Sequence, residues 1–231
     1  MTSIFAHRGH HVNAPENSVA AVRAARDIGA DGVEIDVWLT RDRSLVVHHD
    51  RVVDGHSLPA STRAQHPEIA SCARLGEVIE AAGRLRVNVE IKSTRSTAYN
   101  LSVARAVSEY LDAAPGTSRC MVSSFSLNIC EEVRRHSPER SVGWLVLRRP
   151  AHHVLDQVAR SRLTSAHFPF TRVNASVAQR ATQLGVELHV WTPNLGRDLD
   201  RVLALNVGAL ITDDVVLAME LRSSSQRSTE E

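Results

Sequence analysis

Long apolar runs are missing: nothing in the 231 residues approaches the ~18 consecutive apolar positions that a membrane-spanning helix requires. The chain starts straight into Ile4-Phe5-Ala6-His7, with no basic leader and no long apolar stretch behind it. The expectation is a cytoplasmic protein without a signal peptide and without stable membrane association. Cysteine is scarce. Cys72, Cys120 and Cys130 are odd in number and lack CxxC spacing, which excludes a disulfide framework and a thiolate zinc site and fits a reducing compartment. Neither sign of charge predominates, because 27 Lys and Arg face 26 Asp and Glu, so there is no basic footprint for nucleic acid. Aromatic residues make up only 4%, and no exposed aromatic loop for a lipid substrate is evident. No GxGxxG turn marks a doubly wound sheet with a ligand crevice.

What the chain does have is rhythm. Apolar runs at Ile4, Val33, Val87, Met121, Val142, Ala166, Leu188 and Leu210 alternate with helical patterns. The longest helix covers residues 98–113, with Leu101, Ala104, Val107 and Leu111 as its buried stripe. An extra run over 45–49 follows the polar stretch 40–44 and reads as a hairpin return. The pattern predicts an α/β protein, a (β/α)8 TIM barrel with a β-hairpin excursion after the second strand, in one domain over residues 1–221. Pro15 predicts the first turn of the first helix. Residues 51–73, polar and broken by Gly55, Pro59 and Pro67, predict a long irregular loop. Residues 222–231 hold almost nothing apolar and predict a disordered tail.

The organising stretch is 32–50. Glu34 and Asp36 are two apart in a Val- and Ile-rich run, so a strand places both on one face. Like charges buried this close repel unless a cation or a shared proton compensates them. A chain folded back about Asp42 and Arg43 brings His49 opposite Asp36. In a barrel the strand ends converge, which gathers His7, Arg8, Glu34, Asp36, Glu90 and Lys92, with Ser124, Phe125, His167, Trp191 and Asp213 further round. Three carboxylates form a hard oxygen site suited to Mg²⁺ or Ca²⁺. Arg8 and Lys92 suit an anion bridging to that cation. With two histidines for proton transfer near neutral pH, the set points to a phosphate ester.

These residues also stand in a familiar order. His7-Arg8-Gly9, Pro15-Glu16-Asn17-Ser18, Glu34-Ile35-Asp36-Val37, His49-Asp50, Glu90-Ile91-Lys92, Trp191-Thr192-Pro193-Asn194 and Ile211-Thr212-Asp213 resemble the glycerophosphodiester phosphodiesterases. The resemblance runs from His7 to Asp213. It implies a barrel, one Ca²⁺ or Mg²⁺, and a small-molecule glycerophosphodiester cleaved to an alcohol and sn-glycerol 3-phosphate. It places Glu34, Asp36 and Glu90 on the metal, His7 and His49 as the acid/base pair, and Arg8 and Lys92 on the phosphate.

Other positions keep two readings. Glu16 either supports the first helical turn through its charge or touches substrate, and Asn17 either caps that helix or does the same. Trp191 is either core packing or a wall against the glycerol moiety. His167 and Phe168 read as packing, His48 as structural, and Arg148, Arg149, His152 and His153 as a solvated basic loop. The rival functions are a phospholipase D-type enzyme acting on lysophospholipids or sphingolipids, and a non-catalytic phosphodiester-binding barrel. A zinc hydrolase would want spaced histidine ligands, and the pairs His48-His49 and His152-His153 are adjacent.

Overall fold

In the computed structural model, which describes residues 1–230 with side chains through Ser225, eight parallel strands close on themselves. The chain runs β1 (Ser3–His7), α1 (Val19–Asp27) and β2 (Gly32–Leu39), then turns back through β3 (Leu45–Val47). An insertion follows, made of β4 (Val52–Val53), β5 (His56–Ser57), two 3-10 turns and α2 (Pro67–Ser71). Helix and strand then alternate through α3 (Leu75–Ala82), β6 (Arg86–Ile91), α4 (Thr97–Ala113), β7 (Cys120–Ser124), α5 (Leu127–His136) and β8 (Val142–Leu145). The last third holds α6 (Ala151–Arg160), β9 (Ser165–Pro169), α7 (Ala175–Leu184), β10 (Glu187–Trp191), α8 (Gly196–Leu203), β11 (Ala209–Thr212) and α9 (Val215–Glu230). β1 pairs in parallel with β2, Phe5 beside Gly32, and with β11, Ser3 beside Ala209, which closes the (β/α)8 barrel.

Each strand serves two environments. Ile4, Ala6, Val33, Ile35, Val37, Val87, Val89 and Ile91 are buried in the main apolar cluster with the apolar stripes of the helices. The alternate residues fill the barrel. A side chain at Gly32 would overlap the Phe5 ring, and one at Gly143 would overlap the His167 imidazole, so both glycines make room inside.

Four expectations are corrected. α1 starts after Ser18, whose hydroxyl accepts from Ala21 N at 3.1 Å, and Pro15 lies in the preceding loop. That loop is needed elsewhere, because Asn17 takes φ 57° and reaches β2. The hairpin pivots on Asp42 alone. Val37 pairs with Val47, and His48 N donates to Asp36 O at 3.0 Å, so His48 rather than His49 lies across from Asp36. The Thr40 hydroxyl braces this turn on Asp42, while Arg43 adopts φ 61°. Residues 51–73 are folded rather than irregular. Asp54 and Gly55, at φ 44° and 82°, make a two-residue hairpin turn, and Leu58 and Ile69 bury against Trp38 and Val46. Finally, α9 passes the expected helix end at Leu221, and Arg222 donates to Thr2 O and pairs with Asp31. Of the expected tail, residues 222–230 are helical and Glu231 lies outside the described residues. No helix among the described residues is long and apolar enough to cross a membrane.

Candidate active site

The strand ends surround a cavity of about 230 Å³ lined by His7, Arg8, Glu34, Asp36, His49, Glu90, Lys92 and Trp191, among others. Backbone register explains the gathering. His7 on β1 lies beside Glu34 on β2, and Asp36 on β2 lies beside Glu90 on β6. Alternation then turns Glu34, Asp36 and Glu90 to the same side, the interior. All three are buried, with one ligand oxygen from each within 4.8 Å of the others.

Such a cluster needs compensation. Burial first, then the charges of Asp36 and Glu90, hold the Glu34 carboxyl well above its ordinary range. Burial likewise raises Glu90, although Lys92 opposes it. Burial works against the Asp36 charge too, but Lys92, Asn17 and Arg8 outweigh it and hold Asp36 low. Lys92 Nζ sits 2.8 Å from Asp36 Oδ1 and 2.9 Å from Glu90 Oε1; the two acids overcome its desolvation and raise its pKa. Glu34 Oε1 is buried with no hydrogen-bond partner among the described residues. Three acids against Lys92 and Arg8 leave one negative charge over. A divalent cation would turn that into one positive charge, the complement of a phosphodiester anion. The donor set is all oxygen, so it fits Ca²⁺ or Mg²⁺.

Both candidate histidines are built alike. His7 Nδ1 lies 2.7 Å from Asp213 Oδ1, and His49 Nδ1 lies 2.9 Å from Asp50 Oδ1. A carboxylate only accepts, so each Nδ1 carries the proton and each Nε2 is left for chemistry. His7 Nε2 is 3.9 Å from Glu34 Oε2. Asp213 is itself held by Asn194 Nδ2 at 2.6 Å and His11 Nε2 at 3.3 Å. Burial opposes its charge, but the bond from His7 prevails and keeps its pKa low. His49 reaches the cavity because it stands past the end of β3, where strand alternation no longer fixes its direction. His48 is turned away, its Nδ1 bonded to Asp50 O.

The undecided positions resolve. Glu16 stands outside the cavity and grips Arg8 Nη1 with both oxygens at 2.9 Å. Asn17 neither caps α1 nor lines the cavity. It donates to Asp36 Oδ2 at 2.8 Å and accepts from Asp36 N at 3.0 Å. Trp191 lines the cavity edge-on to Phe125, ring centroids 5.8 Å apart. His167 is buried beneath the site, stacked on His189 at 4.4 Å and bonded to Ser165, while Phe168 is core. Ser124 holds the Ile91 carbonyl, and Arg149 lies over the Trp144 ring away from the cavity. The barrel interior around and beneath the acids is polar, and Asn88, Ser123, His167 and His189 have buried polar atoms without partners among the described residues. One inference from composition fails: Phe125 is 44% exposed at the mouth, on loops that also expose Val12, Leu147 and Leu195. A few aromatics suffice when the barrel delivers one to its rim.

A barrel that presents hard oxygen ligands beside an arginine, a lysine and two oriented histidines belongs to the class of phosphodiester hydrolases. Residues 7–217 match the model of the glycerophosphoryl diester phosphodiesterase family, and the chain belongs to that family. It is 30% identical to a glycerophosphodiester phosphodiesterase of Caldanaerobacter subterraneus subsp. tengcongensis, over 92% of this chain and 94% of the relative. Two solved structures repeat the barrel. One is a glycerophosphodiester phosphodiesterase of Parabacteroides distasonis, at TM-score 0.89 and 22% identity, covering 97% of this chain and 98% of that one. The other is an Oleispira antarctica phosphodiesterase in complex with the product sn-glycerol-3-phosphate, at TM-score 0.83 and 20% identity, covering 96% of each chain.

Proposed function

We propose that this protein hydrolyses glycerophosphodiesters to an alcohol and sn-glycerol 3-phosphate, assisted by one Ca²⁺ or Mg²⁺ held by Glu34, Asp36 and Glu90. The observation that carries the reading is the meeting, in one cavity, of the buried acidic triad with two histidines whose Nδ1 atoms are each tied to a carboxylate. When bound, the cation offsets charge growing on the phosphoryl oxygens. Arg8, aimed by Glu16, and Lys92 hold those oxygens. One histidine takes a proton at its Nε2 from the attacking group, either a water or the neighbouring glycerol hydroxyl, and the other gives one to the leaving alkoxide; where the hydroxyl attacks, a water then opens the cyclic phosphate to the monoester. Trp191 walls the glycerol side. Residues 1–221 act as a single domain, and free Cys72, Cys120 and Cys130 suit a cytoplasmic setting.

The test is glycerol 3-phosphate release from glycerophosphocholine by chelator-stripped protein, with Ca²⁺ or Mg²⁺ added back. Release should depend on the ion, and His7→Ala and His49→Ala should each lower turnover by ~10²–10⁴-fold with the fold intact. No release with either ion from folded protein would overturn the reading. The exposed Val12, Phe125, Leu147 and Leu195 at the mouth favour a second reading, a phospholipase D-type enzyme acting on lysophospholipids or sphingolipids. Faster turnover of lysophosphatidylcholine than of glycerophosphocholine in the same assay would select it.

A further inference from the structure

The insertion between β3 and α3 gathers a second set of possible ligands, of different chemistry. His56 on β5, His66 capping α2 and Glu68 in its first turn each offer a ligand atom within 4.8 Å of the others. The two imidazole rings lie 3.9 Å apart, centroid to centroid. All three side chains are half-buried, and among the described residues none makes a hydrogen bond or an ion pair. Three polar groups have thus been brought together without one another as partners.

We propose that His56, His66 and Glu68 bind a transition-metal dication such as Zn²⁺, separate from the oxygen site in the cavity. Two imidazoles with one carboxylate suit Zn²⁺, Co²⁺, Ni²⁺ or Cu²⁺ and suit Ca²⁺ or Mg²⁺ poorly. Ligand atoms around a zinc ion lie roughly 3.3 Å apart, given bonds near 2.0–2.1 Å. With all three ligand atoms within 4.8 Å of one another, the cluster closes by at most roughly 1.5 Å to reach that spacing, a movement open to half-buried side chains on a short hairpin and a short helix. Three protein ligands leave a fourth position for water.

The insertion has a use for such a link. Its own fully buried apolar residues are Leu58 and Ile69, packed on Trp38 and Val46 of the hairpin below. A segment with so small a core gains order from a metal bridge. Here the bridge would join the Val52–Ser57 hairpin to the Pro67–Ser71 helix. His49 stands at the start of this same segment, so a bound ion stiffens the chain next to a proposed catalytic histidine.

The experiment is Co²⁺ titration of the full chain, chelator-treated and kept in excess Ca²⁺, read by visible absorption. One Co²⁺ should bind with the spectrum of imidazole ligation. His56→Ala and His66→Ala should each weaken it by more than ~100-fold, since loss of an outer partner alone costs up to that much. Glu34→Gln should leave the signal in place. Independently of any variant, Zn²⁺ should slow proteolysis of the wild-type chain within residues 51–73. Wild type that binds no Co²⁺, a signal kept in both histidine variants, a signal lost in Glu34→Gln, or cleavage indifferent to Zn²⁺ would overturn the proposal. Binding is read without turnover, so it stands or falls apart from the hydrolytic reading.

Discussion

His7 and His49 come from distant parts of the chain, yet each has a carboxylate on Nδ1. For His7 that partner is Asp213, whose other oxygen is held by Asn194 and whose shared oxygen also meets His11. Asp213→Asn keeps the shape but removes the charge that fixes the imidazole tautomer and supports an imidazolium. Turnover should fall roughly 10–100-fold, as when an outer partner of a site is lost. Unchanged turnover would reduce Asp213 to packing. At this scale the sequence was half legible. The acids, His7 and the basic residues were readable because strand alternation and strand ends place side chains by rule, whereas His49, past the end of β3, is placed by no such rule. Asn17 was not, since a helix-capping residue and a ligand-positioning residue look alike until the loop's φ of 57° is known. Asp50 and Asp213 stand in the His49-Asp50 and Ile211-Thr212-Asp213 motifs, but only folding shows which histidine each one serves.

Elements are tied together by charges whose pH range can be worked out. Glu132 on α5 accepts from Arg105 on α4 at 2.5 Å and from Arg135 at 2.9 Å. The Arg135 bond, with Arg105 behind it, holds the Glu132 carboxyl down to about 2. A depressed carboxylate adds stability that is complete above its unfolded pKa, ordinarily 4.5, and is lost as pH falls from there toward 2. Urea unfolding of wild type and Glu132→Gln should therefore differ at pH 7, approach one another below pH 4.5, and converge only at about pH 2 or below. Equal midpoints at pH 7 would mean the α4–α5 link contributes nothing. Helix and strand positions were largely legible in the sequence, because apolar periodicity carries them. The insertion was not. Its Gly and Pro residues signal turns, and nothing local says that Leu58 and Ile69 will find Trp38 and Val46.

On the scale of the whole barrel, closure rests on the seam where β1 meets β11 and β2. Arg222 of α9 reaches across it to Thr2 O and Asp31, and Asp31 Oδ2 also accepts from Ile4 N. Arg222→Ala should cost about 1–3 kcal/mol, measured by chemical denaturation. No change would mean that β pairing alone holds the seam. A polar, serine-rich composition concealed this anchor, whereas the eight-fold alternation announced the barrel itself. The barrel's filling has a further consequence. Most barrels are packed inside with branched aliphatic residues, but here Asn88 beside Glu34, Ser123 beside Glu90, and His167 and His189 lie buried with polar atoms that lack partners among the described residues. Ser123→Ala should raise stability by up to about 1–3 kcal/mol, roughly 2–4 °C of melting temperature per kcal/mol. The polar interior is thus unused heat tolerance, and an engineer wanting a hardier enzyme would begin inside the barrel rather than at the surface.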